Sequence, residues 1–211
     1  KLFVTEKSGI ENLKNEGIPA DHVHLVGNVM IDTLLRIFAK TMYYPSLGYH
    51  DLRCLTGNWH RWDWIDDCVL LGRIPRKHEI EELHREGISA IINMCDEFAG
   101  HQPQMQEHNI KQLRLPTIDL VCPRRADLLR GIEFIKDCSQ NGHKVYIHCK
   151  AGRGRAATMA LCYLIAKHRN TAENAYDDLK AARVQVDRNL FRRQTVIDIE
   201  EIVRGENPHH P

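Results

Sequence analysis

Residues 145–155 constrain this chain more than any other stretch. Val145, Tyr146 and Ile147 form a short apolar run. His148 and Cys149 follow, and then Lys150, Ala151, Gly152, Arg153, Gly154 and Arg155. The apolar run is expected to be a strand, the glycine-bearing segment a tight loop, and residues 154–168 a helix. Successive N–H groups of such a loop can turn inward around an anion, with the positive end of the following helix behind them. Gly152 and Gly154 permit the backbone angles and close approach that the turn requires. The field inside such a turn favours a thiolate, the nucleophilic form of cysteine. A planar guanidinium at position 155 can grip two oxygens of one phosphate, which an ammonium group cannot do. Cys149 is therefore the candidate nucleophile, and Arg155 with the backbone of residues 150–154 the candidate phosphate cradle.

A strand feeding such a loop needs a sheet around it, and the flanking sequence supplies one. Residues 68–71 are expected to form a strand ending at Gly72. Residues 88–94 are almost continuously apolar, as befits a strand buried on both faces, and 111–115 form a further strand closed by Pro116. Helices are expected over 77–85, 126–138, 154–168 and 190–203. The second carries Leu128, Leu129, Ile132 and Ile135 in one stripe. Asn170 to Glu173 resemble a capping box before a helix that ends near 182. Strands alternating with helices predict an α/β domain with a mainly parallel sheet and helices on both faces. Residues 205–211 are expected to be a disordered tail.

Residues 1–38 are expected to run strand, helix, strand, helix, with Ser8 capping the first helix. So short a segment cannot bury its own faces. Residues 41–66 gather Tyr43, Tyr44, Tyr49, Trp59, Trp62 and Trp64, with Arg53, His60 and Arg61 among them. They fit either a helix and loop laid over the core or a surface facing the lipid headgroup layer.

Composition removes several function classes. The formal net charge is +1, so no global field favours nucleic acid. No apolar run is long enough to cross a bilayer. The seven cysteines are scattered and form no C-x-x-C pair, which points to reduced thiols in an intracellular compartment and away from a structural zinc site. The sequence starts at Lys1 and shows no signal peptide or transit segment.

Residues 148–155 resemble the signature of the cysteine-dependent dual-specificity phosphatases. Further matches lie at 44–49, at Trp64 to Asp66 with Leu70 to Gly72, at 93–98, and at Pro116 to Asp119. Together they resemble one branch over about residues 41–204, the mitochondrial protein-tyrosine-phosphatase-like enzymes that dephosphorylate phosphatidylglycerophosphate in cardiolipin synthesis. The resemblance implies a four- or five-stranded sheet, no metal or cofactor, an anionic phospholipid substrate with peripheral membrane contact, and the mitochondrial inner membrane as the location. It implies that Asp119 is the general acid that protonates the leaving alkoxide. It also puts Asp96 and Glu97 on an acidic loop over the site, with His148 in support.

Lys150 and Arg153 add two cations at the loop, more than a phosphotyrosine needs, and suggest a substrate with a second phosphate. The same loop resembles that of inositol lipid phosphatases, so phosphoinositides and phosphoproteins remain alternatives. Ala156 stands where the family generally carries Ser or Thr, and Thr158 is two positions too late to replace that hydroxyl on a helix. A phosphate-binding module with little turnover is therefore a competing reading. Residues 5–9 and 26–32 resemble an internal piece of UDP-N-acetylglucosamine 2-epimerases. Residues 1–40 are accordingly expected to be an appendage or fusion remnant, because the rest of an epimerase has no counterpart here.

Overall fold

In the computed structural model, which describes residues 1–25, 29–57 and 59–205, the chain divides into two units, Lys1–Thr41 and Met42–Pro211. The first holds β1 (Leu2–Val4), α1 (Lys7–Asn15), β2 (Val23–Leu25) and α2 (Val29–Thr41), with β1 and β2 paired in parallel. This is the expected order of elements. The cap differs from expectation. Helix α1 begins at Lys7, because Gly9 N–H already bonds the Glu6 carbonyl at 3.1 Å. Ser8 therefore lies inside the first turn, and no side chain caps the helix. Phe3 and Leu34 are exposed, and none of the described side chains of this unit is buried. Residues 26–28, part of the epimerase-like motif, and residues 206–211 of the expected tail lie outside the described residues.

The second unit is built on a five-stranded sheet. Helix α3 (Tyr43–Leu55) precedes β3 (Trp62–Trp64), β4 (Val69–Gly72), α4 (Glu79–Arg85), β5 (Ile88–Cys95), α5 (Gln102–Glu107), β6 (Lys111–Thr117), α6 (Arg125–Gln140) and β7 (Lys144–His148). Then come α7 (Arg155–His168), α8 (Ala172–Ala182), a 3-10 turn (Leu190–Arg192) and α9 (Gln194–Arg204). The strand order is β3-β4-β7-β5-β6, parallel except for the β3–β4 pair. Alternate side chains split between two cores. Val69, Leu71, Ala90, Ile92, Val145 and Ile147 join the core made with α6 to α9. Leu70, Ile91 and Tyr146 join a second core with Ile80, Leu83 and Met105 from α4 and α5. The α/β sheet covered on both faces is thus present as expected.

Three local readings give way to the structure, and two short elements are added to them. Strand β6 runs through Pro116 to Thr117, because it is the edge strand and the missing N–H costs no ladder bond. Thr171, not Asn170, caps α8, its hydroxyl accepting Asn174 N–H at 3.3 Å. The last helix is split, its first turn being 3-10. Strand β3 and helix α5, of three and six residues, are too short to show a period.

Candidate active site

Strand β7 lies between β4 and β5, with His148 in register with Gly72 on one side and Asn93 on the other. The loop after it is fixed from both sides. Ile74 N–H donates to Lys150 O at 3.2 Å. The fully buried Arg183 donates from Nε to Gly152 O at 3.0 Å and from Nη2 to Ala151 O at 3.4 Å, and its Nη1 meets Asp63 at 2.5 Å. Gly152 has φ +66°, and a Cβ there would land on the Gly72 carbonyl, so both conformation and space demand glycine. Gly154 has an ordinary negative φ; a Cβ there would meet Asp187 at 2.9 Å, so its constraint is space. No side chain caps α7, which leaves its first-turn N–H groups to the loop.

Cys149 opens this loop and is almost wholly buried. Arg155, the first residue of α7, is buried too, and two strands present carboxylates to it. Glu97, two residues beyond β5, takes a bidentate pair from Nη1 and Nη2 at 2.9 and 2.8 Å. Asp119, two residues beyond β6, meets Nη2 at 3.0 Å. The Thr117 carbonyl accepts from Nη1 at 2.7 Å. The Nε group has no hydrogen-bond partner among the described residues. Nη1 and Nη2 are both fully engaged, so an incoming oxyanion meets Nε and gains Nη2 only where Asp119 gives way.

Asp119 also forms an ion pair with Lys150, and its Oδ1 accepts Leu120 N–H at 3.2 Å. Burial pushes its carboxyl up, but Arg155, Lys150 and that N–H outweigh burial and hold it below the usual range. His148 is fully buried, stacked on Tyr146 at 5.8 Å and edge-on to Phe98 at 6.0 Å. Burial drives its pKa down to about 3, helped by Arg155 and opposed by a backbone hydrogen bond to Cys149. The imidazole is neutral at working pH and acts as packing beneath the loop. Asp96 is half-buried, and its N–H bonds Thr117 O at 3.3 Å, tying the acidic loop to β6.

The two extra cations face different ways. Lys150 turns inward to Asp119, while Arg153 donates to Gln185 O at 2.9 Å and pairs with Asp187 at 3.0 Å. They are not a bare pair awaiting an anion. Thr158 is committed as well, donating to Gly154 O at 2.9 Å and accepting from Arg193 at 2.6 Å. It does not supply the hydroxyl missing at Ala156. Sequence reasoning missed Arg183, the clamp of the loop. Its only local signal is one arginine after a helix, 31 residues from the Gly152 carbonyl it grips.

Comparisons with known proteins agree with this arrangement. The chain matches the family described as dual specificity phosphatase, catalytic domain, over residues 69–201. A phosphatidylglycerophosphate phosphatase of Arabidopsis thaliana, PTPMT2, is 27% identical over 208 residues, covering 97% of this chain and 87% of that protein. The rat phosphatidylglycerophosphatase and protein-tyrosine phosphatase 1 is 34% identical over 158 residues, covering 70% of this chain and 82% of the relative. The crystal structure of PTPMT1 in complex with PI(5)P superposes with a TM-score of 0.64 at 28% identity, covering 70% of this chain and 99% of that one. With its cysteine loop at the end of the central strand and the arginine that opens the next helix, the chain belongs to the dual specificity phosphatases, a family of cysteine-dependent phosphoric monoester hydrolases.

Proposed function

We propose that this chain hydrolyses phosphatidylglycerophosphate to phosphatidylglycerol through a cysteinyl-phosphate. The Cys149 sulfur attacks phosphorus, the bond to the glycerol oxygen breaks, and Asp119 gives that oxygen its proton. Water then attacks the cysteinyl-phosphate with Asp119 as base, releasing inorganic phosphate and the thiolate. Arg155 and the N–H groups of residues 150–155 hold the equatorial oxygens throughout. The observation that carries this reading is the buried guanidinium of Arg155 at the end of the cysteine loop, braced by Glu97 through both terminal nitrogens and met by Asp119 at Nη2. The lipid assignment rests on the relatives, two of them named phosphatidylglycerophosphate phosphatases. Phosphoinositides are the second reading, since a related enzyme has been crystallised with PI(5)P.

The test compares phosphatidylglycerophosphate, phosphoinositides and phosphotyrosine peptides by kcat/KM. Phosphatidylglycerophosphate is expected first; peptides in front would sink the lipid assignment. Cys149→Ser should abolish turnover and keep phosphate binding. Near-wild-type activity in that variant would remove the covalent mechanism. Ala156 lacks a hydroxyl to steady the departing thiolate, so slow hydrolysis of the intermediate is expected, visible as a pre-steady-state burst. Absence of a burst would place the slow step elsewhere.

A peripheral contact with an anionic bilayer belongs to the same reading. No helix among the described residues is long and apolar enough to cross a membrane. Leu120 and Val184, 76% and 68% exposed, adjoin Asp119 and Arg183. Flotation with phosphatidylglycerol vesicles should weaken in Leu120→Asn/Val184→Asn; unaltered flotation would discard these contacts. The mitochondrial address follows the family and is tested by fractionation of the full-length protein. Residues 1–40 are assigned no part in catalysis, so their deletion should leave kcat/KM intact. A folded but inactive truncation would overturn that division.

A further inference from the structure

The basic side chains around the loop are nearly all matched with carboxylates. Arg73 has Glu79, Arg183 has Asp63, Arg153 has Asp187, Lys150 has Asp119, and Arg155 has Glu97. Arg53, in the last turn of α3, has no carboxylate within ion-pair distance among the described residues. Its Nε is buried without a hydrogen-bond partner. Its guanidinium carbon lies 5.3 Å from the centroid of the Trp59 ring. The guanidinium carbon of Arg153, from the cysteine loop itself, lies 4.8 Å from the same centroid. At most ~10 Å therefore separates the two cations.

Trp59 is held firmly in this position. Its N–H donates to the Arg53 carbonyl at 3.3 Å, and its ring packs edge-on to Tyr49 at 5.7 Å and against the buried His50 at 5.5 Å. The ring therefore fixes Arg53 beside the loop. A cation over an aromatic face gains about 0.5–1 kcal/mol at exposed sites and keeps its charge. Two guanidinium groups share one ring, and the only carboxylate paired with either among the described residues is Asp187 on Arg153, so one positive charge stays unanswered. Arg153 uses Nε and Nη2 on Gln185 and Asp187, and its Nη1 bears no hydrogen bond among the described residues.

We propose that Arg53 and Arg153, laid over Trp59, form a second anion site that takes the phosphodiester of a lipid headgroup whose phosphomonoester sits in the Cys149 loop. The inference rests on the lipid phosphatase reading and names the residue that selects within it. Arg53 is the specificity determinant, because Lys150 is already committed to the catalytic acid. A glycerol bridge joins the two phosphates of phosphatidylglycerophosphate, and an inositol ring joins those of a phosphoinositide. Phosphatidic acid has the monoester alone.

The experiment measures kcat/KM in the full chain for phosphatidylglycerophosphate and for phosphatidic acid of the same acyl composition, in wild type and Arg53→Gln. Removing one hydrogen bond to a charged group is worth a loss on the order of 10- to 100-fold. The ratio of the two values should fall by that factor, through KM, and Arg53→Lys should recover part of it. Equal losses on both lipids would mean that Arg53 only supports the fold, and no loss on either would mean that it only covers Trp59; both results overturn the proposal. Deacylated phosphatidylglycerophosphate separates headgroup recognition from attraction to an anionic bilayer. The loss should persist on it, and a loss confined to vesicles would overturn the assignment. Should phosphoinositides prove the better substrates, the phosphatidylglycerophosphate reading fails. The Arg53 ratio can still be measured for them against phosphatidic acid, so the two failures are distinguishable.

Discussion

Two neighbouring strands each send a carboxylate to the same arginine, and the two are held differently. Glu97 is 4% exposed and takes both terminal nitrogens of Arg155. Asp119 is 21% exposed, makes one contact to Arg155, and shares itself with Lys150. Bidentate and buried, Glu97 is a fixed brace that sets the guanidinium plane. Singly bonded at the open edge, Asp119 can let go when an oxyanion arrives. Loss of Arg155 and gain of a phosphate charge both favour its protonated form, the form an acid needs. On the proposed mechanism, the contrast separates the carboxylate that orients from the carboxylate that reacts.

Asp119→Asn tests that division most severely. General acid help is worth about 10²–10⁴-fold when the leaving group needs its proton. Turnover of an alkyl phosphate should fall by that much, and turnover of an aryl phosphate with a good leaving group far less. An equal fall for both would return Asp119 to the role of a second brace.

Glu97→Gln should behave in the opposite way. It removes one partner of a buried pair, a change that costs at most about 3–5 kcal/mol of stability because Asp119 still faces the charge on Arg155. The misoriented guanidinium should slow alkyl and aryl phosphates alike, by roughly 10- to 100-fold if one charged hydrogen bond to the phosphate is lost. Denaturant unfolding and paired kinetics would read both effects. A selective loss on poor leaving groups would make Glu97 the acid and reverse the comparison.

The sequence carries one half of this site more openly than the other. The strand, loop and helix around Cys149 are legible because their signals are local. They are an apolar run, a glycine that must adopt φ +66°, and a guanidinium at the helix start. The sheet is legible for a similar reason, since β4, β5 and β7 are apolar on both faces. Asp119 is legible only through family resemblance. The resemblance puts Glu97 over the site too, but not its grip on Arg155: the two are 58 residues apart, and nothing in either neighbourhood marks the other. Lys150 pairing with Asp119, Arg183 gripping the loop, and Arg53 meeting Arg153 over Trp59 are likewise products of packing distant segments. Pro116 misleads in the other direction, because its tolerance depends on β6 being at the sheet edge, which only the assembled sheet decides.

Lys150→Met gives the smallest expected effect and the finest test of the contrast. Lys150 stabilises the Asp119 carboxylate, so it helps hold that group below the usual carboxylate range. Removing the ammonium takes away an interaction that exists only with the ionised form, and the pKa of Asp119 must rise. The acid then keeps its proton to higher pH. The basic limb of the kcat–pH profile for an alkyl phosphate should therefore move upward, with the acidic limb, set by other groups, left in place. An aryl phosphate that leaves unaided should show no such movement. No ion pair or hydrogen bond joins Glu97 to Lys150 among the described residues, and the brace on Arg155 remains, so stability should change far less than in Glu97→Gln. If Lys150 instead served mainly to bind phosphate, KM would rise for every substrate and the limb would stay where it was. That outcome would detach Lys150 from the acid and leave Arg155 alone to tune it.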